Sequence, residues 1–256
     1  MKTASRGAWR FPIIPYGSGG ILYGGCPFCG RPSESGAGAF QTACLDRARL
    51  QPTMPQRFSP KAPMKLIILD RDGVINQDRD DFVKSADEWV PLEGSMDAIA
   101  FLTQAGYTIA VATNQSGIGR GFFTMQQLNE MHAKMHKLVR QAGGEIDGIW
   151  FCPHTAAAEC NCRKPKSGMV EDILARFNAK AADTYMAGDS LRDVQAAAGA
   201  GCRPVLVLSG KGRKTLAESS GELPPGTQVF DNLAAFAQYL MKQERQNAED
   251  GHAACA

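Results

Sequence analysis

The sequence predicts an α/β fold, a Rossmann-like three-layer arrangement in which helices cover both faces of a parallel sheet. From Met64 onward, apolar runs of strand length alternate with longer amphipathic stretches. The runs are continuously apolar, which is typical of parallel strands buried on both faces. Alternation of strand and helix predicts right-handed crossovers between parallel neighbours. Ligands of such sheets bind beyond the carboxyl ends of the strands, so functional residues are expected there.

The apolar runs predict five strands, at 65–70, 108–113, 148–152, 184–188 and 203–208. The stretches between and after them predict five helices, at about 95–105, 124–142, 168–179, 191–199 and 231–245. In the second of these helices, apolar residues recur at steps of three and four from Leu128 to Val139, which gives the helix one buried face. Thr124 precedes this helix and is a suitable N-cap.

Residues 1–63 differ from the rest of the chain. They are rich in Gly, Pro, Ser and Arg and lack sustained helical or strand periodicity, so we expect a poorly ordered N-terminal extension. The main domain is expected over 64–245, followed by a C-terminal tail at 246–256. The extension contains Cys26 and Cys29 in a CxxC motif, which is a weak metal signal because no second pair of cysteines follows it there.

Composition excludes several classes of protein. The net charge of the 256 residues is +2 and the signs are interspersed, whereas nucleic-acid binding calls for a clustered basic surface. Charged residues interrupt every apolar run before it reaches membrane-spanning length, and the first residues lack the apolar region of a secretory signal. We therefore expect a cytoplasmic monomer without nucleic-acid or membrane partners. In that compartment, clusters among the eight cysteines favour metal binding over disulfides.

Two aspartates lie at the end of the first predicted strand. Asp70 ends the run KLIILD, and Asp72 follows two residues later, before Gly73. A buried carboxylate is costly without a compensating charge, and a divalent cation would provide one. Asp70 could act as a nucleophile beside such a cation, and Asp72 as a general acid and base. The alternative is an acidic turn without catalytic function, since Asp-Gly pairs are common in turns.

The second predicted strand ends in a hydroxyl group and a run of small polar residues. Thr113 is followed by Asn114, Gln115, Ser116 and Gly117. The Thr113 hydroxyl and the following backbone amides could bind phosphoryl oxygens, because small residues let the main chain approach an anion. The glycines do not match a P-loop, which requires Lys followed by Ser or Thr, so the motif alone is weak.

Four potential zinc ligands fall within eleven residues in the pattern C-x-H-x5-C-x-C. Thiolate and imidazole suit tetrahedral zinc, and four protein ligands leave no open position, so the site is expected to be structural. The ligands are Cys152, His154, Cys160 and Cys162. The alternative is a chance cluster of cysteines.

Two cations follow the cysteines, and a further acid ends the fourth strand. Lys164 could balance a phosphoryl group and Asp70, and Arg163 could bind a second anionic group of the substrate. The alternative is a solvated basic turn. Asp189 could join Asp70 in binding Mg²⁺. Asp193 could be an outer ligand or simply favour the helix start, for which Ser190 is a suitable N-cap.

Together, DRDGVIN, TNQSG, RKP and GDS-x-x-D resemble the four motifs of the haloacid dehalogenase superfamily. More narrowly, DRDGVIN, ATNQSGIGRG, CPH…CxCRKP and GDSLRDVQAA resemble the D-glycero-D-manno-heptose 1,7-bisphosphate phosphatase family, over residues 64 to about 245. The resemblance implies the haloacid dehalogenase fold with little or no cap and a zinc-pinned loop. The stretch between Asp72 and the predicted strand at 108 is too short for a sizeable cap, in agreement with this.

The resemblance also implies roles for single residues. Asp70 would be the nucleophile, Asp72 the general acid and base, and Thr113 and Lys164 the groups that stabilise the phosphoryl group. Mg²⁺ would be held by Asp70, Asp189 and the main-chain carbonyl of Asp72, and zinc by the four ligands named above. The remaining implied residues would contact the sugar phosphate: Asn76, Asp78, Asn114, Gln115, Ser116, Gly117, Arg163 and Ser190.

The implied activity is removal of the 7-phosphate from D-glycero-D-manno-heptose 1,7-bisphosphate through an aspartyl-phosphate, in the pathway to ADP-heptose and the lipopolysaccharide core. A histidinol-phosphate phosphatase is the alternative enzyme, although Arg163 favours a substrate with a second anionic group. A non-catalytic, zinc-stabilised phosphate-binding module is a third interpretation. The stretch between His154 and Cys160 is shorter than in some members of the family, which leaves the preferred sugar anomer open.

Overall fold

A computed structural model of the chain describes residues 64–253. The predictions for 1–63, including the Cys26 and Cys29 motif, lie outside the described residues. Across the part of the chain that is described, no helix combines the length and the apolar character needed to cross a bilayer. The division into an extension, a domain and a tail stays a prediction.

Within 64–253, six parallel strands form one sheet in the order β3-β2-β1-β4-β5-β6. The order reverses direction at β1, which therefore lies between β2 and β4. All five predicted strands are confirmed to within two residues at either end. The strands are β1 Lys65–Leu69, β2 Tyr107–Asn114, β3 Gly148–Cys152, β4 Tyr185–Gly188, β5 Arg203–Val207 and β6 Gln228–Phe230.

Helices cover both faces of the sheet and give the predicted three layers. Alternate residues of β1 belong to separate apolar clusters: Ile67 lies in one and Ile68 in the other, and both are fully buried. This is the reason why the strand is continuously apolar. The helices are α1 Ser95–Gln104, α2 Ser116–Gly119, α3 Met125–Gln141, α4 Gly168–Phe177, α5 Leu191–Gly199, α6 Gly212–Ser219 and α7 Leu233–Ala253.

Capping residues fix the starts of two helices beside the strand ends. Thr124 caps α3 as predicted, in a capping box with Gln127, and the α3 residues from Leu128 to Val139 supply its buried face. Ser190 and Asp193 form a second capping box at the start of α5, directly after β4. Each box satisfies backbone donors that a helix start leaves free.

Three elements were not predicted, and one differs in length. The strand β6 has only three residues and follows a Pro- and Gly-rich stretch, so it shows no clear strand pattern. Polar residues dominate α6, and α2 has a single turn within the Gly-rich loop. The last helix, α7, continues to Ala253, beyond the predicted end at 245, because its polar C-terminal half carries no stop signal before Gly251.

The connection from β1 to α1 spans 70–94 and contains, among these described residues, isolated bridges but no helix or strand. This confirms the prediction of a minimal cap. No helix or strand of this connection therefore covers the carboxyl end of β1.

Candidate active site

Three neighbouring strands bring their polar ends together. Asp70 directly follows β1, Asp189 directly follows β4, and Thr113 lies near the end of β2. The backbone amide of Asp70 donates a hydrogen bond of 2.9 Å to the Ala187 carbonyl of β4, which fixes the acid at the strand tip. Because β1 lies between β2 and β4, residues distant in sequence share one pocket.

An acidic cluster forms the centre of this pocket. Asp70, Asp189 and Asp193 each place a carboxylate oxygen within 4.8 Å of the others, and all three side chains are buried. Asp193 lies in the first turn of α5, where its second oxygen accepts hydrogen bonds from the Ser190 amide and hydroxyl. Ser190, expected beside the substrate, therefore orients Asp193.

Lys164 is the cation that neutralises part of this cluster. Its Nζ lies 2.9 Å from Asp70 Oδ1, forms a second ion pair with Asp193, and donates a 2.7 Å hydrogen bond to the Ala112 carbonyl. Only 2 % of its surface is exposed, so the interpretation as a solvated turn is wrong for Lys164. Burial alone would lower the pKa of Lys164, but Asp193 and Asp70 raise it above its usual range.

The side chain of Asn114 forms hydrogen bonds with the backbone of Lys164. Its Oδ1 accepts a hydrogen bond from the Lys164 amide at 3.2 Å, and its Nδ2 donates to the Lys164 carbonyl at 3.1 Å. Both polar groups of the amide are thus used by the protein. Its expected contact with substrate stays a prediction.

The pocket holds more negative than positive charge. Burial raises the pKa of Asp70 to about 7 against the opposing effect of Lys164, and burial with the charges of Asp193 and Asp70 raises the pKa of Asp189 to about 8. One ammonium therefore does not balance the three carboxylates. A divalent cation fits this deficit, and an all-oxygen donor set suits Mg²⁺.

Glycines let the backbone pack directly against Asp189. A Cβ on Gly73, whose φ is +83°, would lie 2.0 Å from Asp189 Oδ2, and one on Gly210 would lie 2.3 Å from the same atom. The close approach, together with the left-handed φ of both residues, restricts these two positions to glycine. The Lys211 amide donates a further hydrogen bond of 2.8 Å to Asp189 Oδ2.

The carboxylate of Asp72 is held by a separate set of donors, and its side chain is not part of the acidic cluster. Arg71 donates from Nε and Nη2, at 2.9 to 3.2 Å, and Asn76 Nδ2 and Gln115 Nε2 donate at 2.9 and 2.8 Å. Although burial by itself raises the pKa of Asp72, Arg71 and these amides lower it below its usual range. The resting side chain is therefore a carboxylate.

Gln115 connects this carboxylate to Thr113, because its Nε2 also donates a 2.8 Å hydrogen bond to the Thr113 hydroxyl. Ser116 and Gly117 begin α2 and are buried. A Cβ on Gly117 would lie 2.2 Å from the Phe123 ring, so close packing requires glycine here. Together these residues form the wall of the pocket beyond β2.

The four predicted zinc ligands converge at the end of β3. Sγ of Cys152 lies 3.6 Å from both His154 Nδ1 and Cys160 Sγ, and Sγ of Cys162 lies 3.4 Å from the same two atoms. A tetrahedral site with Zn–S bonds of about 2.3 Å has edges of about 3.8 Å, close to these values. The sulfurs are too far apart for a disulfide. The donor set fits structural zinc.

The Cys/His loop leads directly into the pocket. Arg163 follows Cys162, and its Nη1 donates a 3.2 Å hydrogen bond to the His154 carbonyl, while Lys164 enters the acidic cluster. A metal that orders the loop would also position these two cations.

Two functional features were missed from the sequence. Arg71 lies between two predicted acids and is fully buried in contact with Asp72, but nothing in the sequence separates it from an exposed arginine. Lys211 contacts Asp189 through its amide and Asp78 through its side chain, at a Nζ–Oδ2 distance of 2.7 Å. The signal that could have found it is its position just after β5, at the same edge of the sheet.

Comparison with known proteins agrees with this geometry. A family model described as HAD-hydrolase-like matches residues 161–236. A D-glycero-beta-D-manno-heptose-1,7-bisphosphate 7-phosphatase from Neisseria meningitidis serogroup A is 73 % identical over 180 residues, which are 70 % of this chain and 96 % of the relative. The chain belongs to the D-glycero-D-manno-heptose 1,7-bisphosphate 7-phosphatase family.

More distant members of this heptose bisphosphate phosphatase family show the same relation. The Pseudomonas aeruginosa protein of that name is 49 % identical over 69 % of this chain and 98 % of its own length. A crystal structure of the Bordetella bronchiseptica D,D-heptose 1,7-bisphosphate phosphatase, complexed with magnesium and phosphate, is 56 % identical and superposes with a TM-score of 0.69. It covers 70 % of this chain and 99 % of the Bordetella chain.

Proposed function

We propose that this chain removes the 7-phosphate from D-glycero-D-manno-heptose 1,7-bisphosphate, in the β-anomeric form that its relatives are named for. The observation that carries the proposal is the position of Lys164, buried between Asp70 and Asp193 in a pocket of excess negative charge. This arrangement suits an aspartate that attacks phosphorus beside a metal ion. The relatives at 49–73 % identity favour the heptose bisphosphate over histidinol phosphate.

In the first step, an oxygen of Asp70 attacks the 7-phosphorus and the bond from phosphorus to the sugar oxygen breaks. This yields an aspartyl-phosphate and a sugar oxygen that needs a proton. Lys164 lies 2.9 Å from Asp70 and offsets the charge of the transferred group. The Thr113 hydroxyl, at the end of β2, is the second group proposed to contact the phosphoryl oxygens.

Asp72 is the proposed proton carrier. Its resting form is a carboxylate held by Arg71, Asn76 and Gln115, so it takes up a proton as the phosphate dianion enters and passes it to the sugar oxygen. In the second step it removes a proton from water, whose oxygen attacks phosphorus while the bond to Asp70 breaks. Inorganic phosphate leaves, Asp72 releases the proton taken from water to the solvent, and both acids return to their starting forms.

Mg²⁺ would be held by Asp70, Asp189 and the main-chain carbonyl of Asp72, with Asp193 behind them paired to Lys164. When bound, the ion supplies positive charge that stabilises the phosphoryl oxygens. Cys152, His154, Cys160 and Cys162 would hold one structural zinc. In this proposal Mg²⁺ takes part in phosphoryl transfer, whereas zinc stabilises the Cys/His loop.

The rest of the substrate is proposed to contact residues around the acidic cluster. Arg163 carries a guanidinium suited to the second phosphate, and Asp78, which is only partly exposed, suits sugar hydroxyls. Asn76, Asn114, Gln115, Ser116, Gly117 and Ser190 complete the proposed set. A cytoplasmic location and a monomeric state are part of the proposal, as expected from the sequence.

A phosphate-release assay tests the function. The chain is given the β- and α-anomers of the heptose bisphosphate and, separately, histidinol phosphate, each with and without Mg²⁺. We expect Mg²⁺-dependent release from the heptose bisphosphate, with phosphorus NMR showing that the 1-phosphate remains and that the β-anomer reacts faster. Faster turnover of histidinol phosphate would favour the alternative enzyme, and no turnover of any ester would favour a binding module.

A further inference from the structure

Lys211 connects two parts of the site that are distant in sequence. It follows Ser209 and Gly210 in the turn between β5 and α6, and these three residues are called the SGK turn below. Its backbone amide donates to Asp189 Oδ2 at 2.8 Å, while its Nζ lies 2.7 Å from Asp78 Oδ2. One residue thus contacts a proposed metal ligand and a proposed sugar contact, through separate atoms.

The SGK turn is a rigid base for this contact. The Ser209 hydroxyl donates a 2.7 Å hydrogen bond to the Gly73 carbonyl, and a Cβ on Gly210 would lie 2.5 Å from Gly73 Cα. Such close packing leaves the backbone of Lys211 little freedom. The side chain can therefore be changed without moving the amide that contacts Asp189.

Asp78 lies in the 70–94 connection, which has no helix or strand to hold it. Its Oδ1 accepts a 2.8 Å hydrogen bond from the Arg79 amide, and its Oδ2 accepts from Lys211. The hydrogen bond and charge of Asp78 raise the pKa of Lys211, so the ammonium group stays charged. Each carboxylate oxygen keeps a free lone pair, and 21 % of the Asp78 side chain is exposed to receive a donor.

We propose that Lys211 is a positioning residue that fixes the Asp78 carboxylate to accept hydrogen bonds from the hydroxyl groups of a polyol phosphate. The proposal rests on the proposed function and adds a determinant of substrate affinity to it. Lys211 acts through Asp78 and does not touch the reacting phosphorus. Its loss affects binding of the sugar, while the attack by Asp70 proceeds as before.

Steady-state kinetics of the full chain with the heptose bisphosphate test this. We expect Lys211→Met to raise KM about threefold to fivefold, the scale of a half-exposed ion pair, with kcat within about twofold of the wild type. Lys211→Arg keeps the charge and should restore KM. Lys214→Met is the matched control, because Lys214 lies three residues later in α6 with 71 % of its side chain exposed.

A double mutant separates positioning from direct contact. If Lys211 acts through Asp78, the double variant Asp78→Ala/Lys211→Met should have the same KM as Asp78→Ala alone. Additive increases in KM would mean that Lys211 binds substrate itself and would overturn the proposal. An unchanged KM in Lys211→Met, or a fall in kcat at constant KM, would overturn it as well.

Hydrogen exchange keeps the inference distinct from the proposed function. The amide of Arg79 donates to Asp78, so Lys211→Met should speed its exchange and that of the neighbouring amides, whatever the substrate is. If the wild-type chain does not hydrolyse the heptose bisphosphate, the proposed function fails. Unchanged exchange over 78–82 would overturn the role of Lys211 separately.

Discussion

The acidic cluster and the Cys/His cluster both suit a metal ion, yet the protein holds them in different ways. Asp70 and Asp189 directly follow β1 and β4 in sequence. The sheet therefore holds their side chains close together without a bound ion. Apart from Cys152, at the end of β3, the Cys/His ligands lie on a connection whose regular structure is one short 3₁₀ turn at 156–158.

The difference shows what each site needs from its metal. The acidic cluster is already ordered, and it holds three buried carboxylates against the one ammonium of Lys164. Burial, together with the neighbouring carboxylates, raises the pKa of Asp70 and Asp189. Residues 156–159 of the Cys/His loop are exposed, and three of its four ligands are only partly buried, so we expect the ligands to depend on zinc to stay together. Changes in the first site should therefore alter chemistry before stability, and changes in the second should do the reverse.

Asp70→Asn gives the largest expected effect and tests the first half of this contrast. Turnover should fall by at least about 10⁴-fold, because an amide cannot replace the nucleophile. The melting temperature should not fall, since the variant removes a charge that burial disfavours. Steady-state assays and thermal unfolding measure both. Asp97→Asn, at an exposed position in α1, is the control.

Lys164→Met should reduce both turnover and stability. It is therefore an exception to the expectation that changes in the acidic cluster affect chemistry before stability. Turnover should fall by roughly 10²- to 10³-fold through loss of electrostatic stabilisation. At pH 8 without added Mg²⁺ the free energy of unfolding should fall by about 3 kcal/mol, because Asp70 and Asp193 lose their buried partner. Lys137→Met, on the exposed face of α3, should change neither, and a stable Lys164 variant would contradict the ion-pair argument.

Cys160→Ser tests the second half. Zinc affinity should fall by at least about 100-fold and the melting temperature should drop, with a smaller loss of turnover because Arg163 and Lys164 follow the loop. Metal analysis and thermal unfolding provide the measurements. Cys202→Ser is the control for zinc content, since Cys202 is a buried cysteine that is not among the four converging ligands, and this variant should keep the zinc. Full zinc content in Cys160→Ser would exclude a structural site.

The last prediction concerns the pH dependence of stability without added Mg²⁺, which requires no change to the residues of the site. Between the ordinary carboxyl pKa of 3.8 and the values of about 7 for Asp70 and about 8 for Asp189, the folded protein binds more protons than the unfolded chain. Stability should therefore fall as pH rises through this window. Urea unfolding at several pH values should show a shallower fall in Asp189→Asn and with saturating Mg²⁺. A parallel pH profile in Asp189→Asn would contradict the assignment.

Residues close together in sequence allowed the Cys/His cluster and the strand ends to be predicted. Cys152, His154, Cys160 and Cys162 fall within eleven residues, so the chain itself limits their separation, and they do converge. The strand ends could also be predicted, because continuous apolar runs identify buried parallel strands. Asp70 and Asp189 lie directly at the ends of two such runs. The short β6 was not readable, since three residues in a Pro- and Gly-rich region carry no periodicity.

Long-range partners decided the rest of the site. Asp193 was expected either as an outer ligand or as a helix-start residue. It does cap the start of α5 with Ser190, and only the meeting of α5 with the 163–165 turn also pairs it with Lys164. Asn114 was expected to contact substrate, which stays a prediction, and only the fold shows that its side chain also holds the backbone of Lys164, fifty residues away. Asp72 was expected to act as general acid and base, which stays a prediction, and the sequence did not reveal that Arg71, Asn76 and Gln115 hold its side chain.

By itself, the sequence determined which residues end the strands and which cysteines share a loop, because both depend on covalent neighbours. The tertiary structure alone decided which charges neutralise one another. That choice follows from strand order, which places β1 between β2 and β4 and thereby brings Lys164, Asp70 and Asp193 into contact. No local pattern encodes it, since the free energy of a buried charge depends on partners contributed by distant segments.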